Sequence, residues 1–415
     1  MTLSTIFPIL AAIGLVFSLL TYFRVRIHGH LLVPTFVIGW LRGELALQTI
    51  AIEGLAVAVL VSQSEVLQSS GGRLGLALCL ASWGLLIASH RRALLTGREM
   101  AAALAPGGID ASQTVSSLHG FPNPFRFGHP DVRRIRDLEY GESLPGDKGG
   151  RNLLDLVLPK AAKAGDKRPV LLQVHGGGWI IGDKREQGRP LMTRLAAQGW
   201  ICVAINYRLS PTATMPDHIV DVKRAIAWIR EQIAEYGGDP DFLCITGGSA
   251  GGHLSSLAAL TANDPQFQPG FEEVDTRLDA CVPFYGIFDF LDRADDRSLG
   301  KMADMIGPLV FKCTPAENPE LWESVCPVAR IHADAPPFLV IQGSHDSLVM
   351  AEEAITFVSA LREKSASPVY FAHLEGAQHA FEIFHSPRTE YAVRGVAAFL
   401  ERVWSDYEKR KKQAA

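Results

Sequence analysis

The chain of 415 residues is 47% apolar and 20% charged and carries a net charge of −4. That balance excludes a disordered polyelectrolyte and offers nucleic acid no electrostatic footprint. Its six cysteines fall singly, with no Cys-x-x-Cys pair, which argues against a disulfide framework or a zinc site; no metal is expected.

Residues 1–104 read as an N-terminal membrane-associated region. The stretch 3–23, LSTIFPILAAIGLVFSLLTYF, holds no charge over 21 positions, enough helix to cross a bilayer. No basic residue precedes it, unlike a secretory signal. A second apolar stretch, 45–61, contains Glu53, and a third, 74–89, is short and ends against His90, Arg91 and Arg92. For these two a buried core helix is the alternative. Glu53 is expected to face another helix or water, because a carboxylate facing lipid is costly. Arg24, Arg26 and Arg42 follow the first segment and Arg91, Arg92 and Arg98 the third, with Arg73 alone between the second and third. Three crossings would put the amino terminus outside and the rest of the chain in the cytoplasm; two would reverse it.

Residues 105–134 are rich in Pro, Gly and Ser and read as a linker or a loop over the following domain. From 135 to 405 short apolar runs alternate with amphipathic stretches. Strands are expected at 153–158, 170–174, 201–205, 242–246, 280–285, 338–342 and 369–374, and helices at 216–235, 250–262, 350–363 and 388–404. In 216–235, Ile219, Val222, Ile226, Ile229 and Ile233 recur at three- and four-residue steps on one face. Strand alternating with helix predicts an α/β fold, a mostly parallel sheet covered on both faces. Residues 406–415 read as a polar, solvated tail.

In such a sheet function collects at the carboxyl ends of the strands. His175-Gly176-Gly177-Gly178 follows the strand at 170–174. Ser249, in Gly247-x-Ser249-x-Gly251, lies between the strand at 242–246 and a helix. A serine on so sharp a turn has its hydroxyl thrust outward; a phosphate loop fits less well, since no Gly-Lys-Ser/Thr is present. The hydroxyl needs a base, and the base an orienting group. His379, in a loop after the last strand, is the base of choice among six histidines that follow the serine. His253 is expected to pack or cap, His373 to lie within a strand, and His385 to fall past the loop. Asp346, after the strand at 338–342, is the acid. The three glycines, with Gly177 and Gly178 as donors beside Ala250, supply backbone N–H groups to an oxyanion.

With HGGGW, GGSAGG, GSHD and GAQHAF in this order, residues 135–405 resemble the α/β-hydrolase fold, in its His-Gly-Gly-Gly, hormone-sensitive-lipase-like branch. WIIGDK and IAEYGGDPDFLCITGGSAGGH are also similar to membrane-bound prenylcysteine methylesterases, and the apolar front to bacterial Lip-type esterases. The resemblance implies a triad of Ser249, Asp346 and His379, an oxyanion hole of Gly177, Gly178 and Ala250, and no cofactor. It implies a serine carboxylic ester hydrolase acting on lipophilic esters through an acyl-enzyme. An amidase with the same triad and a catalytically silent membrane scaffold are the alternatives. Soluble members cover the site with N-terminal helices, whereas this chain has apolar segments there.

Overall fold

The computed structural model describes residues 2–24, 31–145, 147, 149–293, 304 and 306–414. Its amino-terminal part is helical: α1 (Leu3–Tyr22), α2 (Leu32–Glu44), α3 (Ala46–Gln63), α4 (Ser70–Ala93) and α5 (Thr96–Leu104). Three helices here are long and apolar enough to cross a membrane. Only 6% of the α3 window is buried within the protein, so the second apolar segment is not a core helix. The third segment is longer than its apolar run suggested. It spans 24 residues because Ser69 caps it, accepting the Gly72 N–H at 2.9 Å, and because the basic residues at its end are themselves helical. Glu53 is paired between helices: Arg42 Nη1 lies 2.7 Å from Oε1, and Trp83 Nε1 donates to Oε2 at 2.9 Å.

The end of α1, the start of α3 and the end of α4 all meet the rest of the chain. His345, in the loop after the strand at 338–342, lies 3.1 Å from the Tyr22 carbonyl and 3.4 Å from Arg92 Nη1, and Gln48 reaches the Gly120 carbonyl at 3.5 Å. Helix α2, which nothing in the sequence had announced, lies between α1 and α3. Its Glu44 is buried against Arg388, at 2.8 Å, and accepts from the Ser386 hydroxyl at 2.7 Å.

The remainder is one eight-stranded sheet: β1 (Val132–Glu139), β2 (Leu153–Pro159), β3 (Arg168–Val174), β4 (Ile201–Ile205), β5 (Gly238–Gly248), β6 (Ala280–Phe284), β7 (Phe338–Gly343) and β8 (Val369–Leu374). The spatial order is β1-β2-β4-β3-β5-β6-β7-β8. Pairs β1–β2 and β2–β4 are antiparallel and the others parallel. The mostly parallel sheet is thus as expected. Strand β1 is a correction: five of the eight residues of VRRIRDLE are charged because it is an edge, and it starts within the stretch read as a linker.

Neighbouring strand residues point to opposite faces. Leu172, Val203, Ile245, Cys281 and Val340 belong to one core, which α7 (Asp217–Gln232), α8 (Ala250–Leu260) and the helix Ala351–Lys364 cover. Leu171, Cys202, Cys244, Val282 and Leu339 belong to the other, covered by α5, α6 (Arg189–Ala197) and the C-terminal helix. Burial on both faces is why these strands read as unbroken apolar runs. Truncating one, as in Leu172→Ala, should cost about 2–5 kcal/mol. Residues 409–414 are exposed, and they are helical as well as polar: the last helix runs from Pro387 to Ala414. Tyr407 packs on Phe242 and Lys411 pairs with Asp239 at 3.0 Å, so the polar end stays helical along the domain.

Three histidines buried in the fold make it acid-sensitive. Burial lowers His175 to about 4, His218 to about 3 and His253 to about 4, from an ordinary 6.5. Between pH 6.5 and 4 the unfolded chain therefore binds protons that the folded one refuses. Stability from these groups is complete above pH 6.5 and falls as pH drops toward 4, by up to ~1.4 kcal/mol per pH unit for each histidine. The urea midpoint of the detergent-solubilised protein is expected to fall steadily across that window, and a flat midpoint would contradict it.

Candidate active site

The turn between β5 and α8 holds Ser249 at φ 57° and ψ −122°. A non-glycine residue there is strained by about 1–3 kcal/mol and persists only where its surroundings impose it. They do so here. The Ser249 N–H donates to the Phe284 carbonyl at 3.0 Å, and its own carbonyl accepts the His253 N–H at 2.9 Å. A side chain at Gly251 would collide with the Val174 carbonyl of the neighbouring strand, so the helix can leave this turn only with small residues. Ser249 remains partly exposed.

Asp346 and His379 come from the loops after β7 and β8, and the structure brings them together: His379 Nδ1 lies 2.7 Å from Asp346 Oδ2. Both are buried. Asp346 Oδ1 accepts the N–H groups of Leu348 at 2.9 Å and Val349 at 2.8 Å, and Oδ2 also accepts Gln342 Nε2 at 3.1 Å. A carboxylate filled with donors must take Nδ1–H from the imidazole, which leaves Nε2 unprotonated and able to accept. Gln378 joins the two loops, its Oε1 accepting the Ser347 and His379 N–H groups at 2.8 and 2.9 Å. The other histidines sit elsewhere. His253 faces the Val325 carbonyl at 2.8 Å among Trp179 and Phe290, His373 is exposed on β8, and His385 stacks on Phe127.

The three-glycine loop passes directly beside the serine. A Cβ placed on Gly176 would lie 3.2 Å from the Ser249 Cβ. Gly177 (φ +116°) and Gly178 (φ +60°) are left-handed, and their N–H groups find no acceptor among the described residues. Ala250 opens α8, so its N–H has no intrahelical partner either. The loop is pinned from behind. The Gly176 N–H donates to Gln187 Oε1 at 2.7 Å, and Tyr207 donates to the His175 carbonyl at 3.0 Å. Further on, the buried Lys184 pairs with Asp137 at 2.9 Å and Asp155 at 3.4 Å. A bulge in β1 between Ile135 and Leu138 aims Asp137 at this loop, and hydrogen bonds from Arg185 and Lys184 hold it down at about 2.

A side chain at Gly177 would strike the Ile181 carbonyl. Gly177→Ala is therefore expected to cut kcat roughly 100- to 1000-fold, the scale of losing one oxyanion donor. Steady-state hydrolysis of a short-chain ester checks this; near-normal turnover would remove the loop from the chemistry.

Three residues around His379 carry no sequence signal. Tyr285, after β6, has its ring centroid 4.3 Å from that of His379, and its hydroxyl bonds to the buried Glu382. Burial raises both the Tyr285 phenol and the Glu382 carboxyl. The third is Phe36 of α2, edge-on to the imidazole at 5.9 Å. A helix from the apolar front thus covers the site, where only membrane-like segments were expected.

The family model BD-FAE matches residues 154–361, which include Ser249 and Asp346. The chain is 49% identical over 285 residues to the probable carboxylic ester hydrolase LipM of Mycobacterium tuberculosis, covering 68% of this chain and 65% of that one. It is 28% identical over 260 residues to the probable isoprenylcysteine alpha-carbonyl methylesterase ICME of Oryza sativa subsp. japonica, covering 61% and 59%. The match thus spans about two thirds or less of these relatives' length. Both kinship expectations from the motifs are borne out. In fold, the chain is similar to esterase B from Lactobacillus rhamnosis, with a TM-score of 0.56 at 21% identity over 68% of this chain and 89% of that one.

Proposed function

The chain belongs to the BD-FAE family, and from that membership and the geometry of the site we propose that it is a serine carboxylic ester hydrolase working through an acyl-enzyme. The observation that carries the reading is the buried Asp346–His379 pair, 2.7 Å apart, formed at the same sheet edge as a strained, partly exposed Ser249.

Ser249 Oγ attacks the ester carbonyl as His379 Nε2 takes its proton. The carbonyl electron pair moves to oxygen, and the oxyanion is met by N–H groups of Gly177, Gly178 and Ala250. When the pair returns, the C–O bond to the alcohol breaks, and the imidazolium gives its proton to the departing alkoxide. Water then repeats the sequence on the acyl-enzyme, releasing the acid and restoring Ser249. Asp346 keeps Nδ1 protonated and stabilises the imidazolium throughout.

The enzyme is held in the membrane by α1, α3 and α4, with the catalytic sheet in the cytoplasm. Support comes from the three apolar helices and from Arg24, Arg91, Arg92 and Arg98, at the ends of α1 and α4 and the start of α5, where the front meets the sheet domain; Arg42 is instead turned into the bundle toward Ser18 and Glu53. Lipophilic esters partitioned in the bilayer are its substrates. Purified full-length protein is expected to cleave aliphatic esters far faster than matched amides. It should resist extraction by alkaline carbonate, and a carboxyl-terminal tag should be protease-sensitive in inverted vesicles only. Amide preference would overturn the activity, release into the soluble fraction the anchor, and a tag cleaved in right-side-out vesicles the orientation.

A further inference from the structure

The family match starts at residue 154 and assigns nothing to α2. We propose that Phe36 of α2 forms the wall against which the alcohol portion of the ester packs, so that a helix set between two membrane-type helices governs which leaving groups are accepted. This rests on the triad reading above. His379 turns Nδ1 to Asp346, so Nε2 is the edge that protonates the departing alkoxide. An alkoxide taking that proton lies about 3 Å from Nε2, and whatever packs beside that edge touches the alcohol.

Two rings pack on the imidazole. Tyr285 is buried and its hydroxyl is committed to Glu382, so it is a fixed floor. Phe36 is only half-buried and lies edge-on to the imidazole, with ring centroids 5.9 Å apart. One turn along α2, Trp40 stacks on Phe36 with centroids 5.7 Å apart and planes 7° from parallel. Phe384 lies 5.3 Å beyond Trp40, and Phe125 5.6 Å beyond Phe384, making an aromatic row that runs outward from the histidine. The helix is seated firmly. Glu44 is buried on Arg388, and the bare side of Gly39 leaves Gln378 in ordinary contact distance, 3.6 Å from where a Cβ would stand. At 13 residues, about 20 Å, α2 is too short to span a bilayer and lies instead as a cover. An aromatic row of this kind favours apolar and aromatic alcohols.

The alcohol departs before deacylation, so its contacts register in kcat/KM of acylation and not in the hydrolysis of a common acyl-enzyme. Full-length wild type, Phe36→Ala and Phe36→Trp are compared in detergent on two series: acetates of ethyl, butyl, octyl and naphthyl alcohols, and p-nitrophenyl esters of increasing acyl length. Phe36→Ala is expected to lower kcat/KM for naphthyl relative to ethyl acetate about tenfold, and Phe36→Trp to re-rank the same series, while the acyl series keeps its order. Ratios within one preparation do not depend on how much of a variant is folded. A re-ranked acyl series with an unchanged alcohol series would overturn the proposal, as would no change in either. Wild type inert toward every ester would instead overturn the underlying activity.

Discussion

Ser249→Ala is expected to abolish ester hydrolysis, with a loss approaching the roughly million-fold scale seen when a hydrolase nucleophile is removed. The expectation is this large because no neighbouring group can substitute. The strained turn exposes one hydroxyl at the end of β5, and the following helix residues Ala250, Gly251 and Gly252 offer none. Alanine keeps the Cβ and the backbone bond to the Phe284 carbonyl, so the turn should survive. Initial rates on a p-nitrophenyl ester, with circular dichroism and urea midpoint matched to wild type, check it. More than a few per cent of residual activity would remove Ser249 from the reaction.

His379→Ala should cost nearly as much, because nucleophile and base act as one unit. Asp346→Asn should cost less, about 10⁴-fold, by presenting an N–H where the carboxylate accepted and so favouring the wrong imidazole tautomer. His385→Ala is the matched control. That ring packs on Phe127 and beside His119, and Glu390 near it is already held by Arg194 at 2.8 Å and Arg394 at 2.7 Å. Most activity should remain. Activity lost in His385→Ala and kept in His379→Ala would mean that the base had been misassigned.

The catalytic sheet was legible because its strands are buried on both faces and its functional loops carry unusual chemistry. Three consecutive glycines and a Gly-x-Ser-x-Gly turn each answer a local steric demand, so they leave a mark in the sequence itself. Strand β1 was not legible, because an edge strand with a solvated side has too few apolar residues to alternate visibly. Helix α2 was hidden between two apolar stretches, and only its tertiary contacts distinguish it from them. Tyr285 and Phe36 reach His379 from two different segments, and Glu382, in the loop that carries His379, holds the Tyr285 hydroxyl. None is part of a spaced pattern; each becomes significant only once the β6 and β8 loops and α2 are folded against one another. The C-terminal helix outran its apolar stripe because Tyr407 and Lys411 tie its polar end to the domain.

Covalent capture tests the nucleophile assignment most directly. Wild-type protein treated with an alkyl p-nitrophenyl phosphonate should lose activity as one phosphonyl group is added, and peptide mapping should place that group on Ser249. The same reagent should leave Ser249→Ala unmodified. An active protein that takes up no phosphonate, or that carries it on another residue while activity is lost, would contradict the assignment.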